Sequence, residues 1–434
     1  MSYTKKSIVS ATGVISAIVV VIGGMMARQE ADLGLVHPTT SGTSIDRLLA
    51  SRSDDVNVPA GDYFYELSQK LKKEYVEAVS DDQKLAVGAI RGMVSSLQDP
   101  QSLFMDKAQF QAFLNAREGK FEGIGADFDL VIGTKGIQAE AAGEAPPSDA
   151  TAEEALVMIR DIPRLQVVSV VPGGPADKAK VQVGDTVYSI DGHWVVNSDL
   201  IKKFRAAQKS FIAKKTPLSE LNILRNEIRS KAEHALMPLK AKDLLFMGKS
   251  GAVTVVWDHA GGQRTTKIVK AASAMPGFEA NGSRILLPFT PASAGLLKQA
   301  IARKSAVTID LRNNTLGDLS SMRQCLEVLV PKGQYGGFTT FRHDSPTPLV
   351  VHNGNSSPPK ITLITDKSTR GVAEMFAMAA SSKGYATLSG SETGGDRDNR
   401  AIVKLPDGSG YTLVTSVYRP ILGGQKLVKK GGAK

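Results

Sequence analysis

Two hydroxyl side chains and two amines lie close together in a stretch that otherwise has the composition of a folded core. Ser368 and Thr369 directly follow Lys367, and Lys383 comes 15 residues after Ser368. A hydroxyl can act as a nucleophile in acyl transfer when a neutral amine, its pKa lowered by burial, accepts the proton. One hypothesis is therefore a nucleophile at Ser368 or Thr369 with Lys367 or Lys383 as the base. The alternative is that both hydroxyls are ordinary turn residues ahead of a helix.

The flanking sequence predicts the elements that would position these groups. An apolar strand over residues 361–365 is followed by a turn and then by a helix with an apolar face over residues 372–382. A short strand follows at residues 386–389, and a glycine-rich loop contains Gly394 and Gly395. This order places loop residues at the ends of regular elements, where functional groups are commonly found.

The stretch resembles the catalytic core of the carboxy-terminal processing, or tail-specific, serine proteases. In that family the nucleophilic serine lies three residues before a glutamate at the start of the helix, and a lysine of the glycine loop lies 25 residues after the serine. Aligning the glutamate with Glu374 places the serine position at Gly371 and the lysine position at Asp396. The resemblance therefore implies the family's fold without either residue of its catalytic dyad.

The substitutions have a direct chemical meaning. Glycine has no attacking oxygen, and an aspartate at the base position is an anion rather than a neutral amine. Arg397 and Arg400 follow in the same loop, but a guanidinium stays protonated and cannot act as a base. The family's glutamine four residues beyond its lysine corresponds to Arg400. We therefore expect no catalytic residues at this site, with Ser368 and Thr369 as the alternative nucleophiles.

A second family motif is also altered. Residues 310–317 read DLRNNTLG, whereas the family motif ends in Asn-Asn-Pro-Gly-Gly, whose glycine backbone helps to form the oxyanion hole. Thr315 replaces the proline and Leu316 replaces the first glycine. A leucine side chain would crowd a substrate carbonyl, and its backbone is less free than that of glycine. Leu316 and Gly317, the equivalent of the oxyanion loop, are thus expected to be unsuited to catalysis.

Two separated segments resemble the halves of a PDZ domain. These are FEGIGADFDLV at residues 121–131 and the segment 165–192, which contains the turns Gly-Pro-Ala and Val-Gly-Asp. In a PDZ domain, a glycine loop donates backbone N–H groups to the terminal carboxylate of a peptide, which pairs with the adjoining strand. The resemblance implies binding of protein or peptide C-termini by the loop residues Gly123, Ile124, Gly125 and Ala126.

The fold class expected from these features is a multidomain α+β protein. It would contain an N-terminal membrane helix, a helical subdomain, a PDZ-like domain with two insertions and a crotonase-like α/β protease core. Phe64, Leu67, Leu71 and Tyr75 form one apolar stripe in the helical subdomain. The expected boundaries are 1–28 for a membrane anchor or signal segment, 29–60 for a linker, 61–120 for the helical domain, 121–270 for the PDZ-like domain with insertions 138–163 and 198–250, 271–422 for the core and 423–434 for a basic tail.

The charge of the chain is concentrated in one insertion. The net charge is +10, and residues 198–250 hold twelve lysines or arginines against five acidic residues. A solvated helical surface explains such a segment in many proteins. The functional alternatives are docking to anionic lipid headgroups or to an acidic protein surface. Nucleic acid is not expected as a partner, because the chain is expected to lie outside the cytoplasm.

The N-terminus predicts a membrane anchor. Lys5 and Lys6 precede residues 7–27, which are 21 residues without a charge. This length exceeds that of a usual signal-peptide apolar region, and no good cleavage site follows. We expect a single-pass anchor in the cytoplasmic membrane with the lysines inside, which places the bulk of the chain in the periplasm or outside the cell.

Two functions from different classes remain open. The first is an inactive, membrane-anchored binding or scaffolding protein, with an active family member as one conceivable partner. The second is an active C-terminal processing peptidase with a non-standard site. Cys325 is the sole cysteine and lies in a helix-like apolar context, while the six histidines are scattered, so no metal and no cofactor is expected.

Overall fold

The computed structural model describes residues 60–77, 79, 82–97, 99–131, 162–213, 215, 217–259, 262–315, 317–340 and 346–421. The predicted anchor, most of the linker and the first insertion, Leu316 and the basic tail lie outside these residues. None of the described helices is both long enough and apolar enough to cross a bilayer. The chain divides into two compact units, residues 1–98 and 99–434, and each is considered separately.

The described part of the first unit contains two helices, α1 (Ala60–Glu74) and α2 (Asp82–Ser96). The apolar stripe predicted for this region lies on α1 and at its end. Phe64, Leu67, Leu71 and Tyr75 are each between 38% and 49% exposed. The stripe therefore makes α1 amphipathic without burying it fully.

The N-terminal half of the second unit contains a PDZ-like antiparallel sheet and the helices around it. In chain order its elements are β1 (Phe104–Met105), α3 (Lys107–Arg117), β2 (Lys120–Phe121), β3 (Ala126–Val131), β4 (Arg164–Val170), α4 (Pro175–Lys178), β5 (Thr186–Ile190), β6 (His193–Trp194), α5 (Ser198–Ile212), α6 (Leu218–Ala232), α7 (Pro238–Phe246), β7 (Ala252–His259), β8 (Gly262–Val269) and β9 (Ser273–Ala274).

The strands of this sheet are ordered β3-β4-β5-β7-β8, with β6 paired to β5, so β3 lies at an edge. Strands β7 and β8 pair antiparallel, as the alternation of their sequence predicts. The basic insertion 198–250 is helical over much of its length and contains α5, α6 and α7. Helix α7 lies within the predicted insertion 198–250, yet Ala241 and Leu245 are fully buried in the core of the sheet domain.

The C-terminal half of the second unit alternates strands and helices. Its elements are β10 (Glu279–Asn281), β11 (Arg284–Leu286), α8 (Ser293–Ile301), β12 (Ala306–Asp310), α9 (Leu319–Leu329), β13 (Gly333–Thr339), β14 (Thr347–Val351), β15 (Lys360–Thr365), α10 (Val372–Ser382), β16 (Ala386–Gly390), β17 (Asp398–Lys404) and β18 (Gly410–Arg419).

A sheet of order β10-β11-β12-β15-β16 forms the centre of this half, and its last four strands are parallel. Residues of helices α8, α9 and α10 share one hydrophobic core with this sheet, and fully buried side chains alternate with less buried ones along β12 and β15. Ile309 and Leu363 are fully buried, and so is Cys325 on α9, as predicted. Because the parallel strands β11, β12 and β15 end at one edge, the loops that follow them meet there.

A second sheet completes the core. Its order is β1-β18-β13-β14, with β17 paired to β18. Strand β1 comes from the N-terminal half of the unit, where Phe104 pairs with Tyr411 of β18. The loop from β16 to β17, which contains the predicted glycine-rich segment, runs from the first sheet to the second. It thereby meets the turn between β15 and α10.

Candidate functional site

Gly371 is the residue before the first turn of α10, where strand β15 has ended and the chain reverses into the helix. Its backbone has φ 57° and ψ −131°. Residues with a side chain rarely adopt this backbone conformation. There is room for a side chain, because a Cβ atom added here would meet only the Thr315 carbonyl oxygen, at 3.4 Å. The position thus favours glycine through its backbone rather than through lack of space.

The structure brings the two positions aligned with the catalytic dyad together. The N–H group of Gly371 donates a hydrogen bond of 3.0 Å to the carbonyl oxygen of Asp396. Asp396 is buried, and its Oδ2 atom accepts from Nη2 of Arg400 at 2.5 Å. Where the family pattern has a serine and a lysine, this chain therefore has a glycine beside an aspartate–arginine ion pair.

Glu374 opens α10 and is almost fully buried, with 3% of its surface exposed. Its Oε2 atom accepts from the N–H group of Gly395 at 2.8 Å, and its carboxyl group also bonds to Thr393. Burial raises the pKa of Glu374 to about 7, and the charge of Asp396 contributes in the same direction. The helix start is thus tied to the glycine loop through a carboxyl group that retains its proton up to near-neutral pH.

The two alternative nucleophiles are fully buried, and their oxygens are engaged in the turn. The Ser368 hydroxyl donates to Oδ1 of Asp366 and accepts from the N–H group of Asn313 at 2.7 Å. The Thr369 hydroxyl donates to the Leu311 carbonyl oxygen at 3.0 Å and accepts from the Asp366 N–H group at 3.1 Å. These contacts hold the turn against the end of β12.

Neither alternative base is part of that network. Lys367 is exposed. Lys383 follows the C-terminal end of α10, whereas the hydroxyls precede its N-terminal end, and the Lys383 ammonium lies 5.0 Å from the centre of the Tyr335 ring. The structure brings Gly371, Glu374 and Asp396 together, but it does not place Lys367 or Lys383 against Ser368 or Thr369.

The equivalent of the oxyanion loop turns carbonyl oxygens toward this site. Asn314 accepts through its carbonyl from the Arg370 N–H group at 3.2 Å, and the Thr315 carbonyl lies nearest to Gly371. The Gly317 carbonyl accepts from Nη2 of Arg117 at 2.9 Å. Leu316 lies outside the described residues. An oxyanion hole needs N–H donors aimed at the reacting oxygen, whereas these contacts of the loop are made by its carbonyl oxygens.

The backbone of the predicted carboxylate loop is already hydrogen-bonded within the chain. The N–H group of Gly123 donates to the Gly248 carbonyl at 2.7 Å, and that of Ile124 donates to the Leu245 carbonyl at 2.9 Å. The N–H group of Gly125 reaches the Glu122 carbonyl at 3.3 Å, and Ala126 pairs with Val170 of β4. In this conformation the loop is closed by the end of α7.

The free edge of β3, next to that loop, is also capped by side chains. The N–H groups of Phe128 and Leu130 donate to the carboxylates of Asp127 and Asp129 at 2.8 and 2.9 Å. Nζ of Lys242 on α7 donates to the Phe128 carbonyl at 2.9 Å. A peptide that paired with this strand would have to displace these groups.

The same two aspartates connect the PDZ-like sheet to the core. Oδ2 of Asp129 accepts from Nη2 of Arg370 at 2.5 Å, and Oδ2 of Asp127 accepts from the Thr315 hydroxyl at 3.2 Å. These residues line a cavity of about 140 Å³ that also reaches Asp396. The groove beside β3 therefore leads to Asp396.

Two features of the site were missed by sequence reasoning. The first is the Asp396–Arg400 ion pair, which the four-residue spacing of opposite charges could have indicated. The second is the contact of Arg117 with Gly317, which joins residues 200 positions apart and has no local sequence signal.

Comparison with known proteins gives consistent matches along the chain. The model for peptidase family S41 matches residues 290–433, that for the N-terminal domain of the activating protease CtpB matches residues 63–109, and that for a PDZ domain matches residues 166–206. The last match begins in β4, whereas the resemblance predicted from sequence begins at residue 121.

Similar proteins carry related descriptions. The carboxy-terminal processing protease CtpB of Bacillus subtilis is 25% identical over 367 residues, which cover 84% of this chain and 65% of that protein. A probable CtpA-like serine protease of Staphylococcus epidermidis is 23% identical over 393 residues, covering 87% of this chain and 66% of that protein. The chain thus spans just under two thirds of the length of these relatives.

A solved structure shows the same fold. The photosystem II D1 C-terminal processing protease matches with a TM-score of 0.51 and 18% identity over 82% of each chain. This match supports the architecture of sheets and helices described above. At 18% identity the match concerns the fold and not the chemistry of the site.

Proposed function

Because the chain belongs to peptidase family S41, as a homologue of the carboxy-terminal processing proteases, we propose that it binds protein or peptide C-termini without cleaving them. It would act as a membrane-anchored binding or scaffolding protein outside the cytoplasm. The observation that carries this proposal is the pair Gly371 and Asp396. At the helix start where the family pattern has its nucleophile, this chain has no side chain, and the group beside it is a carboxylate paired with Arg400.

The contacts of the remaining candidate groups support the same conclusion. Ser368 and Thr369 are buried and hydrogen-bonded within the turn, and their lysine partners lie elsewhere. In the described part of the oxyanion-loop equivalent, the Thr315 carbonyl oxygen is the atom that a Cβ at Gly371 would meet, and a carbonyl oxygen does not stabilise a developing oxyanion. Nucleophile, base and oxyanion donors all have to be present for acyl transfer of this kind.

A peptidase assay tests the absence of catalysis. The purified full chain in detergent is expected to give no turnover of a disordered substrate ending in small apolar residues. The Gly371→Ser variant is also expected to be inactive, because it restores a hydroxyl without a base or an oxyanion hole, at a backbone conformation that costs a serine about 1–3 kcal/mol.

Ser368→Ala is the control that separates the two candidate functions. Turnover by the wild type that disappears in Ser368→Ala would reject the proposal in favour of an active peptidase with a non-standard site. Turnover that is unchanged in Ser368→Ala and is removed by further purification would come from a contaminant.

The membrane anchor and the partner belong to the same proposal. The uncharged residues 7–27 behind two lysines support a single-pass anchor with the bulk of the chain in the periplasm or outside the cell. Protease treatment of intact spheroplasts should then degrade the described domains, whereas a chain protected until lysis would contradict this orientation. Crosslinking followed by detergent extraction and mass spectrometry would show whether an active family member is the partner.

A further inference from the structure

A cavity of about 440 Å³ lies at the carboxyl ends of β11, β12 and β15. It is a separate space from the groove beside β3. We infer that this cavity binds the C-terminal carboxylate of a peptide, with Arg117 as the cation that holds it. The inference rests on the proposed function, since it names where and how a C-terminus would be recognised.

The cationic groups of the cavity differ in their partners. Arg284 and Arg312 both pair with Asp310, with Nη2 of Arg312 at 2.8 Å from Oδ2. Burial alone raises the pKa of Asp310, but the hydrogen bonds from Arg312 and Arg284 outweigh it and lower the pKa to about 2. Two of the three arginines that line the cavity are therefore already engaged by one carboxylate.

The other carboxylates of the cavity are engaged as well. Asp366 accepts from the N–H and hydroxyl groups of Ser368. Glu118 is exposed and pairs with Lys120 at 2.8 Å. Arg117, in contrast, has no carboxylate within ion-pair distance in the part of the chain that the structure describes, and the nearest charge that favours its cationic form is that of Asp318.

Arg117 is placed in the last turn of α3, where its side chain reaches the loop 313–317. Its Nη2 atom donates to the Gly317 carbonyl, which occupies one of the five N–H donors of a guanidinium. Burial lowers the pKa of Arg117 because a cation is less stable away from water. A carboxylate in the cavity would compensate this loss of hydration through charge-assisted hydrogen bonds.

The walls of the cavity suit the residue that carries such a carboxylate. Leu286, Pro288 and Phe289 line one side, and Met275 and Pro276 line another. A volume of about 440 Å³ falls within the range of known small-ligand sites. Apolar walls next to one unpaired cation match a chain end with an apolar last side chain.

The alternative place for a C-terminus is closed in this conformation. The amides of Gly123 and Ile124, which would take the carboxylate in a PDZ domain, donate instead to carbonyl groups at the end of α7 and just beyond it. Arg117 donates to a backbone carbonyl through Nη2 alone, to Gly317, among the described residues. The cavity is therefore the better receptor for a carboxylate in the structure as it stands.

Fluorescence anisotropy with the full chain in detergent tests this inference. The probe is an N-terminally labelled glycine-serine peptide that ends in Ala-Val-Leu, used as the free acid and as the C-terminal amide. Because charge-assisted hydrogen bonds are lost, we expect the amide to bind roughly 10-fold more weakly. The Arg117→Gln variant should weaken binding of the acid by about the same factor and leave binding of the amide unchanged.

Three comparisons keep the result interpretable. Arg323→Gln removes an exposed arginine on α9 that does not line the cavity, and it should bind the acid as the wild type does. Arg117→Lys retains a cation and should recover part of the affinity. Equal melting temperatures of the Arg117 variants and the wild type would exclude a general loss of folding as the reason for weaker binding.

The outcomes separate this inference from the proposed function. Binding that is equally tight for the acid, the amide and Arg117→Gln would overturn the role of Arg117 while leaving peptide binding intact. No binding of either peptide to the wild type would overturn both. Cleavage of the peptide would reject the proposed lack of catalysis.

Discussion

Replacing Asp396 by asparagine is expected to lower the free energy of unfolding by about 3–4 kcal/mol, because it leaves Arg400 without its counter-charge in a largely buried position. The Asp396 side chain is 8% exposed and that of Arg400 is 27% exposed. Nε of Arg400 is buried and has no hydrogen-bond partner among the described residues, so the ion pair is the main compensation for burying this guanidinium. Chemical denaturation at pH 5.5 measures the effect while Glu374 is still protonated.

A double-mutant cycle distinguishes a lost ion pair from general damage to the loop. Arg400→Met alone should also destabilise, since it leaves the Asp396 carboxylate unpaired, whereas the double variant should lose much less than the sum of the two single variants. Additive losses would show that the two side chains do not stabilise each other. The exposed pair of Lys120 and Glu118 is a matched control, and Lys120→Met should change the stability by less than about 1 kcal/mol.

The second large effect concerns Glu374, whose pKa is raised from 4.5 to about 7. The folded state holds this proton while the unfolded state releases it, so the stability contributed by the neutral carboxyl group is lost as the pH rises from 4.5 to 7. The loss amounts to about 3 kcal/mol at pH 8, at 1.36 kcal/mol per pKa unit. Glutamine does not titrate, so Glu374→Gln should become more stable relative to the wild type by about this amount between pH 4 and pH 8.

The carboxyl groups of Asp243 and Asp310 also make the stability depend on pH, but both are present in the wild type and in Glu374→Gln. Burial raises the pKa of Asp243 to about 6, and the wild type and Glu374→Gln share this contribution. The pKa of Asp310 is lowered, so its contribution to stability is lost as the pH falls rather than as it rises. This contribution is also the same in both proteins. The difference between the two denaturation curves therefore reports Glu374 and its interaction with the neighbouring Asp396. A difference that stays constant from pH 4 to pH 8 would contradict a protonated carboxyl at the start of α10.

Much of the fold could be predicted because local patterns and the final packing agree. Helix α10 spans Val372–Ser382, as its apolar periodicity predicts, and strands β7 and β8 pair as their alternation predicts. The apolar strand predicted at residues 361–365 is β15, which begins one residue earlier and lies between two other parallel strands. Most of the buried residues of α10 and β15 are apolar, with Glu374 and Thr365 as buried polar exceptions.

The site was less predictable because its contacts join distant parts of the chain. No local pattern indicates that α7 would cover the amides of Gly123 and Ile124, since α7 lies more than a hundred residues further on, within a segment expected to be an insertion. The bond from Arg117 to Gly317 likewise depends on how α3 packs beside the core. Spacing could place Gly371 and Asp396 at equivalent positions, but not show which groups surround them.

The capped edge of β3 has a consequence for the behaviour of the chain at high concentration. An unpaired edge strand is a template for sheet extension between molecules, and here Asp127, Asp129 and Lys242 occupy the donors and acceptors that such growth would use. Rotation of these side chains frees the edge without unfolding the sheet. The amide hydrogens of Phe128 and Leu130 should therefore exchange with deuterium through local opening, well before the amide hydrogens of the core strands. Variants that remove both carboxylates should then form intermolecular aggregates more readily than the wild type.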